Sequence, residues 1–486
     1  MGIYILIILL IYFGLLSLIS YTVSRKNNDN DAFFLGNRKS PWYIVAFGMI
    51  GSSISGVSFV SVPGMTRGLD MTYVQMVLGF LLGYIIIAYV LLPLYYKLNL
   101  TTIYGYLEKR FGLRSYKTGA SFFILSKTIG AAARLYLVVL ILYKLVFEPW
   151  GIPFWVVALG NILLIWAYTY RSGIKTIVWT DTLQTFCLIS ALVLIIWQVI
   201  DKLDFNFAET IQIVTNSEHS RIFVFEDWIS KQNFFKQFFS GVLIAIVMNG
   251  LDQDMMQKNL TCKTLKDAQK NMVSFGFFSV PINYLFLALG VLLLTFASQI
   301  GISLPEKSDE ILPVLATQYL GFPVLVFFAI GIIAAAFSSA DSALASITTS
   351  VCVDLLDIEK KNIENSVKIR RKIHVLISFI FLLVIVLINN LNQDSILNTI
   401  YKVASYTYGP LLGLFFFGLF TKINPRDKFV PMICISAPVL SFILEVSLKQ
   451  TFNYNVGNEI LLFNGLITGL GLLLISKKRG NYQDNL

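Results

Sequence analysis

The sequence predicts an all-α integral membrane protein with about thirteen transmembrane helices, and three observations lead there. Apolar residues make up 56% of the 486 positions and charged ones 14%, where soluble chains carry about 25% charge. Mean hydropathy is +0.71, so polar surface is too scarce to cover a soluble particle of this size. Long apolar runs dominate, with no sustained heptad, collagen repeat or disordered tract beside them. The net charge of +10 sits mainly in short loops between apolar runs, which makes it a topology signal and not a nucleic-acid footprint.

A crossing needs about 20 mainly apolar residues. Windows of that length begin near Ile3, Tyr43, Tyr73, Ala120, Phe154, Ile177, Phe238, Met272, Phe322, Ile373, Ile396, Phe429 and Glu459. No charge precedes the first window and no small-residue cleavage site follows it, so it reads as a retained span and not a signal peptide. Alternate loops then separate by charge. One set, from 24–42 to the tail after 476, holds 27 Lys and Arg; the other, including the long 201–236 loop, holds 7. The richer set is cytoplasmic by the positive-inside bias. That puts the chain in the plasma (inner) membrane of its cell, with the N-terminus outside and the Lys477-Lys478-Arg479 tail inside. Lys127 reads as a side chain snorkelling to the cytoplasmic edge. The 201–236 loop has room for a short surface helix or lid. His219 and His374, near loops and unclustered, read as solvated, and the four scattered cysteines suggest neither a metal site nor a disulfide framework.

Polar residues inside apolar spans carry most of the information, because each is expensive in hydrocarbon. The second span contains Gly48-Met49-Ile50-Gly51-Ser52-Ser53-Ile54-Ser55-Gly56-Val57-Ser58. Two readings stand: close small-residue packing between helices, or a broken helix whose unwound carbonyls coordinate a cation. The ninth span carries Ala334 to Ser346, with Ala335, Ser338, Ser339, Ser342 and Ser346 on one helical stripe and Asp341 in their midst. Neutral hydroxyls suit a monovalent alkali ion, although a serine face is also ordinary helix-packing glue. Asp181 opens the sixth span as either a helix-start carboxylate or an ion ligand. Arg134, more than ten residues into the fourth span, requires a partner: a protein carboxylate or an anionic substrate. No Walker, HExxH, nucleophile-elbow or Rossmann pattern stands in its structural context. Neither ATP-driven transport nor enzyme chemistry is indicated, since Ser338 with Asp341 lacks a nearby base.

These residues resemble the sodium/solute symporter family, which includes sodium-coupled sugar, proline and sialic acid carriers, over nearly the whole length. The likeness rests on the glycine/serine second span, on Trp179-Thr180-Asp181-x-x-Gln184, and on Asp252-Gln253 with Gln257-Lys258. It also rests on the Ala335-x-x-Ser338-Ser339-x-x-Ser342 stripe and on Gly409-Pro410. The resemblance implies an inverted five-plus-five repeat of the LeuT type, headed by broken helices. The segments would then be 1–42 (first helix and loop), 43–200 (first repeat), 201–236 (external loop), 237–421 (second repeat) and 422–486 (two peripheral helices and tail). It implies sodium as the coupling ion, held by carbonyls of Gly51, Ile54 and Ala335 and hydroxyls of Ser338 and Ser339.

In members with a second sodium, the resemblance points to Asp181 with positions 338, 341 and 342, hence Asp341 and Ser342 here. Position 341 departs from the pattern, being Asp where the family has Ser or Thr. For the solute it points to Ser53, Ser55 and Ser58, with Met248 where the galactose carrier has an aromatic. The arginine of sialic acid carriers matches Gly130, and Arg134 lies one turn later on the same face. The expected function is sodium-coupled import of a small organic solute (sugar, amino acid, sialic acid or other carboxylate) by alternating access, with solute, sodium and lipid bilayer as partners and no nucleic acid. The alternatives are a proton-coupled carrier or a solute-sensing membrane protein of the same fold.

Overall fold

The computed structural model describes residues 2–476 apart from 25–28, 172, 229, 362–363, 391–392, 453, 455 and 458. Every apolar window falls on a helix. In chain order these are α1 (Gly2–Ser24), α2 (Trp42–Ser53), α3 (Gly56–Leu69), α4 (Tyr73–Lys97), α5 (Leu113–Leu142), α6 (Phe154–Thr169), α7 (Ile174–Leu203), α8 (Phe234–Gly250), α9 (Gln253–Leu260), α10 (Leu265–Gln299), α11 (Phe322–Leu355), α12 (Ser366–Asn390), α13 (Gln393–Phe420), α14 (Val430–Phe452) and α15 (Ile460–Leu474). Eight of the described helices are long and apolar enough to cross a membrane, and two bent pairs qualify as broken spans. Several helices begin well before their apolar windows: α5 starts at Leu113 rather than Ala120, α10 at Leu265 rather than Met272. Their first turns are amphipathic and continue the same hydrogen-bonded rod beyond the apolar core. The outer surface carries large apolar side chains such as Leu10, Phe186 and Trp197, as a lipid-facing exterior requires.

The two bent pairs position everything that follows. α2 and α3 meet at 65°, and α8 and α9 at 66°. The first break is local in origin. Ile54 and Ser55 take extended ψ angles of 97° and 163°, and the Ser55 side chain accepts the Ser58 N–H to cap α3. The second break follows the same logic: Asp252, at ψ 121°, accepts the Asp254 N–H and caps α9. Just before it, residues 246–250 widen into i→i+5 bonding, the Leu251 N–H reaching the Ile246 carbonyl at 3.1 Å. Broken helices therefore stand where the resemblance puts the heads of the two repeats. α11 lies at the centre, with every residue from Gly331 to Ser350 buried. The 201–236 stretch forms a short helix, Phe207–Asn216, with a capping box between Asn206 and Glu209.

Candidate ion and solute site

Glycines bring the first broken helix against α7 and α11. A Cβ on Gly48 would stand 2.9 Å from Asp181 Cβ, and one on Gly51 would stand 2.2 Å from Thr185 Oγ1. The Gly51 N–H donates to Thr185 Oγ1 at 3.0 Å, and Thr185 donates to the Gly48 carbonyl at 3.3 Å. Beyond the break, a Cβ on Gly56 would lie 3.3 Å from the Ile332 carbonyl and 3.4 Å from Ala336 Cβ. Asp181 in turn accepts the Ser338 hydroxyl at 2.5 Å. The break, Asp181, Ala336 and Ser338 thus form one continuous contact. Among the described residues, none donates a hydrogen bond to the carbonyls of Gly51 or Ile54. Unused carbonyls at a helix break, beside buried hydroxyls, have the chemistry of an alkali-ion seat.

The remaining expected ligands divide. Ser339 donates to the Ala336 carbonyl at 3.0 Å and lines the central cavity. Asp341 is fully buried; Tyr168 donates to its Oδ2 at 2.8 Å and Ser342 to its Oδ1 at 3.3 Å. Asp181 gives its second oxygen to Lys258, whose Nζ stands 2.7 Å away with both side chains 1% exposed. Lys258 counted as a loop cation in the sequence; it belongs instead to the buried half-helix α9.

The central cavity has a volume of about 240 Å³. Ser52 and Ser53 of the first break line it, together with Tyr84 of α4, Gly130 and Arg134 of α5, and Met248 of α8. Of the four residues expected to face the solute, Ser53 and Arg134 are among those that line this cavity. Ser55 and Ser58 do not line the cavity: they bond to each other at 3.2 Å and cap α3. Lys127 does not snorkel. Its Nζ reaches Asp254 Oδ2 at 2.8 Å and Asp252 Oδ2 at 3.1 Å, and Tyr408 donates to the same Asp252 oxygen at 2.7 Å. Arg134 has no carboxylate within 4.0 Å among the described residues.

His374 is a further correction, being buried and bonded to Thr169 Oγ1 at 3.0 Å and Thr348 Oγ1 at 2.9 Å. Sequence reading missed the Lys127–Asp252–Asp254 and Asp181–Lys258 clusters. The available signal was the run Asp252-Gln253-Asp254 followed at helical spacing by Lys258, at the end of an apolar span.

A profile of the sodium:solute symporter family matches residues 33–434. The sodium/sialic acid symporter NanT of Aliivibrio fischeri is 24% identical over 472 residues, covering 95% of this chain and 92% of its own length. The sodium/glucose cotransporter of Vibrio parahaemolyticus is 23% identical over 474 residues, covering 91% and 85%. Among solved structures, the substrate-bound outward-open state of a Na+-coupled sialic acid symporter superposes with a TM-score of 0.82 at 20% identity, covering 97% of this chain and 98% of that one. The nucleobase-cation-symport transporter Mhp1 in a closed conformation gives a TM-score of 0.52 at 13% identity, covering 91% and 93%. The chain is a member of the sodium:solute symporter family.

Proposed function

We propose that the chain imports a small carboxylate-bearing solute together with sodium by alternating access, its N-terminus outside and its C-terminus cytoplasmic. The observation that carries the reading is the helix break at Ile54 and Ser55, laid against Asp181, Ala336 and Ser338 at the wall of a cavity that holds Arg134. Sodium, as cargo and coupling ion, takes the carbonyls of Gly51, Ile54 and Ala335 and the hydroxyls of Ser338 and Ser339. Ser338 directs its proton to Asp181 and so keeps its lone pairs for the ion. Ser53 and Arg134 face the solute, and Arg134 offers a planar fork of donors to a carboxylate. The sialic acid carriers among the relatives support a carboxylate, and the loop asymmetry, 26 to 7 once buried Lys258 is set aside, supports the orientation.

Sodium joining the two helices favours the state in which the solute pocket is formed; release follows when the core rocks against its scaffold. The driving force suffices. One charge crossing about 100 mV yields about 2.3 kcal/mol, and a tenfold sodium gradient adds about 1.4 kcal/mol. Roughly 3.7 kcal/mol per ion concentrates a solute several hundredfold. The test is a melting curve of purified protein, followed by uptake into liposomes. Sodium raises the melting temperature and drives uptake where potassium does neither, and Ser338→Ala/Ser339→Ala abolishes both effects. Equal responses to the two ions, or an unchanged sodium response in the double variant, would overturn the proposal.

A further inference from the structure

The apolar side chains of the central cavity have no role in the reading above, which uses only Ser53 and Arg134. We propose that the solute is a carboxylate with an apolar tail the size of one ring, and not a sugar acid. The tail lies against the rings of α4 and the Ile244–Met248 pair of α8 while Arg134 holds the carboxylate. The inference rests on the carboxylate reading and specifies the rest of the solute.

Helical spacing sets the apolar surface. Tyr73, Phe80 and Tyr84 stand two turns and then one turn apart on one face of α4, and all three line the cavity. Their rings form a ladder: the centroids are 6.3 Å apart from Tyr73 to Phe80 and 6.5 Å from Phe80 to Tyr84. Phe275 backs Tyr84 at 4.7 Å. Ile244 and Met248, one turn apart on α8, line the same cavity. Small residues bring the two helices together, since a Cβ on Gly83 would stand 2.6 Å from Ala245 Cβ. The rings and the α8 pair therefore belong to one packed unit.

Most polar groups of the cavity are already engaged. Ser53 donates to the Ile50 carbonyl at 2.8 Å, Ser339 to the Ala336 carbonyl at 3.0 Å and Tyr408 to Asp252 at 2.7 Å. Ser126 shares a hydrogen bond with Thr407 at 2.6 Å. Lys127, Asp252 and Asp254 match one another, which leaves Arg134 to fix a carboxylate. The hydroxyls of a sugar acid, set against three rings and the Met248 thioether, would lose water without gaining partners, a cost that an apolar tail avoids. Size agrees: the cavity of about 240 Å³ exceeds the roughly 150 Å³ that encloses one benzene ring. A ring, a short linker and a carboxylate fill the difference. A mostly apolar site with one orienting charge is the usual design for such a ligand.

The experiment compares tails on a fixed carboxylate. Purified protein in sodium is melted with phenylacetate, acetate, gluconate, sialic acid and phenylacetamide, and affinities are read from the shifts. Phenylacetate should bind wild type roughly 10- to 100-fold tighter than acetate, the worth of burying one ring. It should also bind tighter than either sugar acid, and phenylacetamide should give no shift. Phe80→Ala should bring phenylacetate to within a few-fold of acetate. A merely weakened fold would not narrow that ratio, because both ligands report on the same protein. Equal affinity of wild type for phenylacetate and acetate, or tighter binding of gluconate or sialic acid, would overturn the apolar tail and leave the carboxylate reading standing. An unchanged ratio in Phe80→Ala would do the same. If Phe80→Ala is not recovered folded, the wild-type panel decides alone. Phenylacetamide bound as tightly as phenylacetate, or no shift with any carboxylate, would remove the carboxylate reading itself and this inference with it.

Discussion

Arg134 and Lys127 stand two turns apart on α5, and the difference between them shows what a single residue decides here. Lys127 is matched by Asp252 and Asp254; Arg134 faces the cavity with no carboxylate in reach among the described residues. A buried or half-buried cation without a protein partner is poised for a ligand's negative charge. Arg134→Ala should therefore weaken carboxylate binding by about 10- to 100-fold, the worth of a charge-assisted hydrogen-bond pair. Arg134→Lys should fall between, keeping the charge and losing the fork. Solute-dependent melting curves with a carboxylate and its uncharged amide check this: equal affinity of Arg134→Ala and wild type for the carboxylate would remove Arg134 from the pocket. The depth of Arg134 in its span was legible from the sequence. The fates of Lys127, Lys258 and His374 were not, because each partner comes from a distant helix: Asp252 for Lys127, Asp181 for Lys258, Thr169 for His374. Spacing along one helix cannot show which side chains a bundle brings together.

At the scale of the element, close packing and a helix break both occur in the second span, at different residues. Gly48 and Gly51 lie within regular helix and serve close packing on α7, and neither adopts a positive φ. The unwinding belongs to Ile54 and Ser55, three residues later. Glycine content thus marked the right segment through a different physical cause. Gly51→Ala gives the sharp test: its Cβ would fall 2.2 Å from Thr185 Oγ1 and 3.1 Å from Thr185 Cα, and the backbone cannot yield as a flexible side chain would. Overpacking of this kind costs about 1–3 kcal/mol, and it displaces the very carbonyls assigned to sodium. Gly51→Ala should melt several degrees lower and lose its stabilisation by sodium. Gly160→Ala, where a Cβ meets nothing within 4 Å, should match wild type in both respects. A Gly51→Ala protein that keeps the full sodium response would move the ion away from this turn.

Across the whole molecule, the broken helices can exchange access only if the chain closes one face while the other admits solute, and the Lys117 face is visibly latched. Asp354, at the end of α11, accepts from Tyr116 at 2.9 Å, Ser350 at 2.5 Å and the Thr102 hydroxyl. Lys117 reaches the Asp354 carbonyl at 2.6 Å and Asp357 Oδ2 at 2.7 Å, and Lys360 pairs with Glu108. Arg110 adds bonds to the Gly418 and Thr421 carbonyls at the end of α13. These contacts tie the starts of two helices to the ends of two others, where the short 105–110 helix crosses the face. Each of these contacts has a charged side chain on at least one side; those around buried Asp354 are the strong ones, and exposed Lys360–Glu108 adds little. Ile103, just beneath, is wholly buried, and its N–H donates to Gln253 next to the second break. An Ile103→Cys protein, with the four native cysteines replaced by alanine, should react slowly with a water-soluble maleimide in sodium. Adding Lys117→Met should raise that rate several-fold, and leaving sodium out should raise it further, because sodium favours the latched state. A rate unchanged by Lys117→Met would mean that this charge cluster ornaments the face without closing it, and the barrier to alternating access would have to be sought in the packing of α11 against α5 instead.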